Sequence, residues 1–221
     1  FSNLFFSMSI ILLPALILAR TGNNETTLGF VQAGFGVGGL VGGVLLSAWG
    51  GPERRIHGLL LGFIGSSLLG GSLMGIGETL VIWATAAFLM GFFLPFINGS
   101  NQAIWQAKVA PDVQGRVFAA RRLIAQVTVP LGFLLGGYLA DSVFEPMMMD
   151  PSTPVALFFE PWVGSGPGAG IGLVFLLTGI LGACVGVAGY LIPVVRYAED
   201  LLPDHVGADD AQVEQPVAGA A

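Results

Sequence analysis

Six stretches of this chain contain no Asp, Glu, Lys or Arg: Phe1 to Ala19, Thr26 to Pro52, Ile56 to Gly77, Thr79 to Ala107, Leu123 to Ala140, and Pro161 to Val195. A hydrocarbon core about 30 Å thick is crossed by about 20 apolar residues rising about 1.5 Å each in a helix. Each stretch is apolar and of that order of length. In lipid, a lone segment can satisfy all its backbone polar groups only as a helix. The chain is therefore expected to be an all-α integral membrane protein with six spans, at about 1–20, 28–49, 56–76, 79–100, 118–140 and 169–193.

The loops fix the orientation. Arg54, Arg55, Lys108, Arg116, Arg121, Arg122 and Arg196 fall on one side of such a bundle, and only Arg20 falls on the other. The side richer in Lys and Arg is the cytoplasmic one. Both ends of the chain, the Arg54–Arg55 loop and the 101–117 loop are thus expected in the cytoplasm, around a bundle set in the plasma membrane. The net charge of −6 reflects acids gathered in the 141–160 region and the tail, not a generally acidic surface. Nothing in it suggests a nucleic-acid partner.

Residues 1–196 read as one six-helix unit. The segment from Asp141 to about Gly168 is rich in Pro, Met and Gly, and is expected to be an irregular surface loop. Residues 197–221, acidic and Ala-rich, lack the apolar area to offset chain entropy and are expected to be disordered. The chain opens Phe-Ser-Asn-Leu-Phe-Phe without an initiator Met, as though the first span were already under way. That gives the expectation of a piece cut from a longer protein.

Small residues mark the helix contacts. Gly34, Gly38 and Gly42 recur every fourth residue in the second span, and Gly132 and Gly136 repeat the interval in the fifth. Such stripes let helix backbones approach closely in lipid. Pro14, Pro95 and Pro130 interrupt three spans, where neighbouring helices can re-satisfy the freed carbonyls.

Chemistry has few places to sit. The middles of the spans hold no ionisable residue, and such residues are the usual mark of proton relays and ion paths. His57 and His205 are far apart and near no cysteine, so no metal site or cofactor is expected. Cys184 stands alone and can form no disulfide within the chain. No serine has an intramembrane histidine to activate it, so the chain is not read as an enzyme. What remains is a set of neutral polar residues, for which Asn3, Ser7, Gln32, Asn98 and Gln126 are the candidate cavity lining together with Phe92. With Phe5, Phe6, Phe93 and Phe96 nearby, they suggest a largely neutral cavity for bulky, mostly apolar small molecules.

Two loops carry a signature. Gly43-Val-Leu-Leu-Ser-Ala-Trp-Gly-Gly-Pro-Glu-Arg-Arg55 resembles the cytoplasmic loop between the eighth and ninth helices of the major facilitator superfamily. Pro111-Asp-Val-Gln-Gly-Arg-Val-Phe-Ala-Ala-Arg-Arg122 resembles the loop before its eleventh helix, which places Arg116, Arg121 and Arg122 ahead of the fifth span here. With Gly136-Gly-Tyr-Leu-Ala-Asp141 and Gly166-Pro-Gly-Ala-Gly-Ile-Gly172, the pattern is similar to the macrolide-efflux-like branch. The resemblance implies the C-terminal half of a twelve-helix fold, whose halves rock about a central cavity. It implies a cytoplasmic gate at Gly43, Gly50, Arg54 and Arg55, although Ser47 stands where the motif usually has an acid. It also implies efflux of hydrophobic drugs or small metabolites coupled to protons, with a missing N-terminal six-helix half as partner. The alternative is a self-standing six-span protein, structural or regulatory, dimerising through its glycine stripes.

Overall fold

The computed structural model describes residues 2–201. Six helices in it are long and apolar enough to cross a membrane: α1 (Ser2–Arg20), α2 (Glu25–Trp49), α3 (Arg55–Ile76), α4 (Leu80–Lys108), α5 (Pro111–Met149) and, after a shorter α6 (Pro154–Val163), α7 (Ala169–Leu191). Two single turns follow, α8 (Pro193–Arg196) and α9 (Ala198–Leu201). The expected tail begins in these turns, and residues 202–221 lie outside the described residues.

Local chemistry sets the helix ends. The Asn24 side chain accepts a hydrogen bond from the Thr27 N–H at 3.0 Å, capping α2 so that it starts at Glu25, three residues before the expected span. Gly50 closes the same helix with φ +83°, a left-handed conformation open to glycine, and its N–H bonds the Leu46 carbonyl. Thr79 caps α4 and Thr153 caps α6.

Two expected loops are helical. The connection predicted over 101–117 shrinks to residues 109–110, because α4 runs on to Lys108 and α5 starts at Pro111. Asn, Gln, Ala and Trp there are neutral to favourable in a helix, and Pro111 suits a first helical turn. The segment predicted as an irregular surface loop over 141–168 instead holds the end of α5, which passes Asp141 through a π-helical stretch (Leu139–Phe144), and all of α6. Hydropathy marks where a helix enters lipid, not where its hydrogen bonds stop.

Packing is closest between α2 and α4. A Cβ on Gly38 would overlap the Phe88 carbonyl oxygen, one on Gly42 would overlap that of Phe92, and one on Gly34 would lie 2.8 Å from that of Ala84. Gly91 of α4 meets the Phe35 carbonyl in return. The expected glycine seam is therefore a backbone-to-backbone contact. Gly132 and Gly136 of α5 pack on Leu4, Ser7 and Met8 of α1 in the same manner. A third seam joins α3 to α7, where Gly71 and Gly75 face Gly179 and Gly172. There the middle of α3, Gly65–Ser72, widens to a π-helix. Leu16, Ile17, Val31, Met74, Trp83 and Phe175 fill the space enclosed by α1, α2, α3, α4 and α7. The outward faces stay apolar, as Phe30, Val37, Leu40 and Val44 of α2 illustrate, which is the surface lipid requires.

At the end of the bundle away from the basic loops, Arg20 ties three elements together. Its guanidinium donates to the Gly77 carbonyl at 2.5 Å and to the Val163 carbonyl at the end of α6. Glu145 accepts the backbone N–H groups of Gly168 and Gly170 at 2.6 and 2.9 Å, fastening α5 to the start of α7.

Candidate functional site

The helices α4 and α5 are joined by two residues, yet they scarcely touch. α4 leans on α2 and α3 through its glycines and phenylalanines, while α5 leans on α1. The gap between them is a cleft of about 650 Å³ toward the basic end of the bundle.

Each wall is a helical stripe. α4 contributes Asn98, Asn101 and Gln102, spaced by three and four residues and so aligned on one face. From α5 come Phe118, Arg121, Arg122, Ile124, Ala125 and Thr128, while Asn3 of α1 and Phe63 of α3 complete the lining. The cleft thus joins amides and two guanidinium groups to a partly aromatic wall. No Asp or Glu lines it. The Thr128 hydroxyl is committed to the Ala125 carbonyl at 2.7 Å, leaving only its lone pairs for the cleft.

Arg121 is the unusual member. Its Nη1 is buried and has no hydrogen-bond partner, and the guanidinium carbon sits 5.2 Å from the centre of the Trp105 ring. The ring face favours a cation but does not replace a strong acceptor for that N–H.

The candidate lining residues separate in space. Asn3 and Asn98 border the cleft as expected. Ser7 is buried, donates to the Asn3 carbonyl at 2.7 Å and serves as the surface for Gly132. Gln32 borders a different, apolar hollow of about 350 Å³ between α1, α2 and α4, beside Phe6 and Pro14. Phe92 packs among Phe88, Phe93 and Phe96, and Phe93 fills the space beside Gly65. Gln126 is exposed on α5 but off the cleft. A neutral hollow with Phe6, Gln32 and Phe35 in its lining thus lies apart from the basic, amide-rich cleft that Asn3 and Asn98 border. Arg121 and Arg122, placed by the resemblance in the loop before the fifth span, stand on a helix wall, because α5 begins at Pro111 and runs through that whole motif. The spacing of Asn98, Asn101 and Gln102 was legible in the sequence; the splay that opens them was not.

The basic end holds a separate cluster. Arg54 pairs with Asp200 at 3.4 Å, both side chains more than half exposed. Arg55 donates to the Ala103 carbonyl of α4 at 2.9 Å. Lys108 donates to the Glu199 carbonyl, and His57 stacks on Tyr190 with Nδ1 and the phenol oxygen 3.1 Å apart. Gly50 and Gly51 both adopt positive φ at the turn that presents the arginine pair, whereas a Cβ added at Gly43 would meet only Pro95, at 4.0 Å, and Arg116 is exposed. Among the described residues no group of His, Cys, Asp and Glu could hold a metal ion.

Comparison with known proteins gives a consistent result. The chain is 25% identical to macrolide efflux protein A of Streptococcus pyogenes over 194 residues, covering 84% of this chain and 40% of that protein. It is 28% identical to macrolide efflux protein A of Enterococcus faecalis over 130 residues, 55% of this chain and 38% of that one. The chain thus spans about 40% of the length of these relatives. No protein-family profile matches it, and no solved structure does. In sequence the chain is similar to the macrolide efflux proteins, in keeping with the likeness to that branch of the major facilitator superfamily carried by its loops.

Proposed function

We propose that this chain is one six-helix half of a secondary transporter that exports small molecules by alternating access. The observation that carries the reading is the likeness to macrolide efflux protein A along 84% of the chain. The cleft between α4 and α5 gives it a physical counterpart. Amides and guanidinium groups are too costly to face lipid, so the cleft wall faces water or further protein. A second six-helix half set against it would enclose the cleft as part of a central cavity. In the cell membrane, the basic end would face the cytoplasm.

On this reading the arginine pair at the turn after α2 is part of the cytoplasmic gate. In this half it meets Asp200 and the Ala103 carbonyl, contacts it would exchange or keep as the halves rock. No carboxylate borders the cleft, so a titrating acid for proton antiport belongs to the other half.

The test expresses the full-length polypeptide in a drug-sensitive bacterium and follows accumulation of a radiolabelled macrolide and of two fluorescent dyes, ethidium and carboxyfluorescein. Lower accumulation of any of these in energised cells, reversed by a protonophore, is the expected result. Accumulation equal to that in vector-only cells for all of them would sink the proposal.

A further inference from the structure

We infer that the cleft between α4 and α5 is a binding site for the anionic group of an amphiphilic organic anion, with Arg121 as its principal ligand. The inference rests on the transporter reading for its biological role, but the site itself follows from the balance of donors and acceptors.

A guanidinium is always charged and has five N–H donors in a planar fork. Arg121 has one of those nitrogens buried with no acceptor, and its guanidinium carbon lies over the ring of Trp105. Arg122 brings a second positive charge to the same cleft. Asn98, Asn101 and Gln102 across from it each carry two more N–H donors alongside one carbonyl acceptor. No carboxylate answers them, and the Thr128 hydroxyl hydrogen is already used. Donors and positive charge are in surplus.

The ligand chemistry that removes this surplus is a carboxylate or phosphate, which can accept from a guanidinium in two parallel hydrogen bonds. Phe63, Phe118 and Ile124 supply an apolar wall for the rest of such a molecule. An organic cation would meet two like charges instead. The contrast with Arg20 is internal: that guanidinium is held by backbone carbonyls and needs no ligand.

Both a carried substrate and a lipid headgroup have such oxyanions; the inference commits to the carried molecule, and the experiment separates them. The full-length protein is purified in a neutral detergent, and binding of carboxyfluorescein is followed by fluorescence anisotropy. Wild type is expected to bind it, with Arg121→Gln weakening Kd by at least about tenfold, the loss of a bidentate charged contact. Arg121→Lys should recover part of the loss, and Arg116→Gln, which removes the same charge from an exposed position off the cleft, should bind as wild type. Should Arg121→Gln fail to fold, Asn101→Leu keeps the charge and is expected to weaken binding about threefold by removing a donor.

Absence of carboxyfluorescein binding, or equal binding by wild type and both cleft variants, overturns the inference. The same measurement in phosphatidylcholine vesicles with and without about 30% phosphatidylglycerol identifies the source. Displacement of the dye by phosphatidylglycerol would assign the site to a lipid headgroup and overturn the substrate reading; equal affinity in both supports it. Binding that depends on Arg121, with no dye or macrolide exported from cells, would leave the anion site standing and sink the transporter proposal alone.

Discussion

Helix α4 packs against α2 and is followed in the chain by α5, and the two treat it in opposite ways. On one face α2 presses glycine backbone against the carbonyls of Ala84, Phe88 and Phe92, leaving no room for a single added carbon. On the other, α5 stands away and leaves about 650 Å³ lined by amides and arginines. Close packing is favoured where neither helix has side chains to place between the backbones. The cleft has the reverse composition, with Asn98, Asn101 and Gln102 presenting polar groups that neither helix satisfies. One face is closed backbone to backbone, and the other is open and polar.

The same division separates the two cleft-depth and end arginines. Arg20 is half-buried and bonded to the carbonyls of Gly77 and Val163. Arg121 is also half-buried, but one of its nitrogens is left without an acceptor. A charge that holds structural elements together stabilises the fold, whereas one left unpaired costs stability and marks a place where a ligand can restore it.

The sharpest way to break the contrast is at the seam. Gly38→Leu should destabilise by more than about 3 kcal/mol, because the obstruction is main chain and cannot swing aside. Folded yield on size-exclusion chromatography and transport should both collapse. Gly36→Leu, two residues away where an added Cβ meets nothing within 4 Å, should be tolerated. Equal behaviour of the two variants would mean that α2 does not pack on α4 through this stripe.

Arg20→Gln comes next. It removes charge-assisted bonds to two carbonyls, each worth about 1.5–3 kcal/mol. Thermal unfolding in detergent should shift downward clearly. An unchanged midpoint would mean that the opposite end of the bundle does not depend on this arginine.

A smaller effect is expected at the basic end. The Arg54–Asp200 pair is exposed, so Asp200→Asn should change stability by less than about 1 kcal/mol. Changing Arg54 and Arg55 together to Gln should impair turnover more than membrane insertion. Equal losses of both would leave the pair as markers of topology.

The least stability change belongs to Arg121→Gln. Removing an unsatisfied buried charge should leave the unfolding free energy within about 0.5 kcal/mol of wild type, or raise it. A large drop would show that Arg121 supports the fold as Arg20 does, and the contrast between them would be lost.

Much of the fold could be read along the chain, for specific reasons. The six spans were legible because apolar length is a local property, and Gly34, Gly38 and Gly42 were legible as a seam because their interval matches a helix turn. The helical course of residues 101–117 and 154–163 was not, since segments beyond the apolar core follow capping and propensity rather than hydropathy. Of the candidate cavity residues, Asn3 and Asn98 meet in the cleft, while Ser7, Gln32, Phe92 and Gln126 take other positions. Polarity identified residues that need partners, but the rotation of each helix decided which partners they found. Arg121 and Arg122 were assigned to a loop by the likeness of Pro111–Arg122 to a family loop motif, and the helix runs through them.

By itself, then, the sequence determined the solvent, the number of spans and the asymmetry of charge between the two ends. These depend on sums over neighbouring residues and survive any arrangement of the helices. Tertiary structure alone decided that α4 and α5 part, that two amide and guanidinium stripes face each other, and that Arg20 is satisfied while Arg121 is not. Those outcomes depend on how tightly other pairs pack: α4 is drawn to α2 and α3, α5 is drawn to α1, and the cleft is what remains between them.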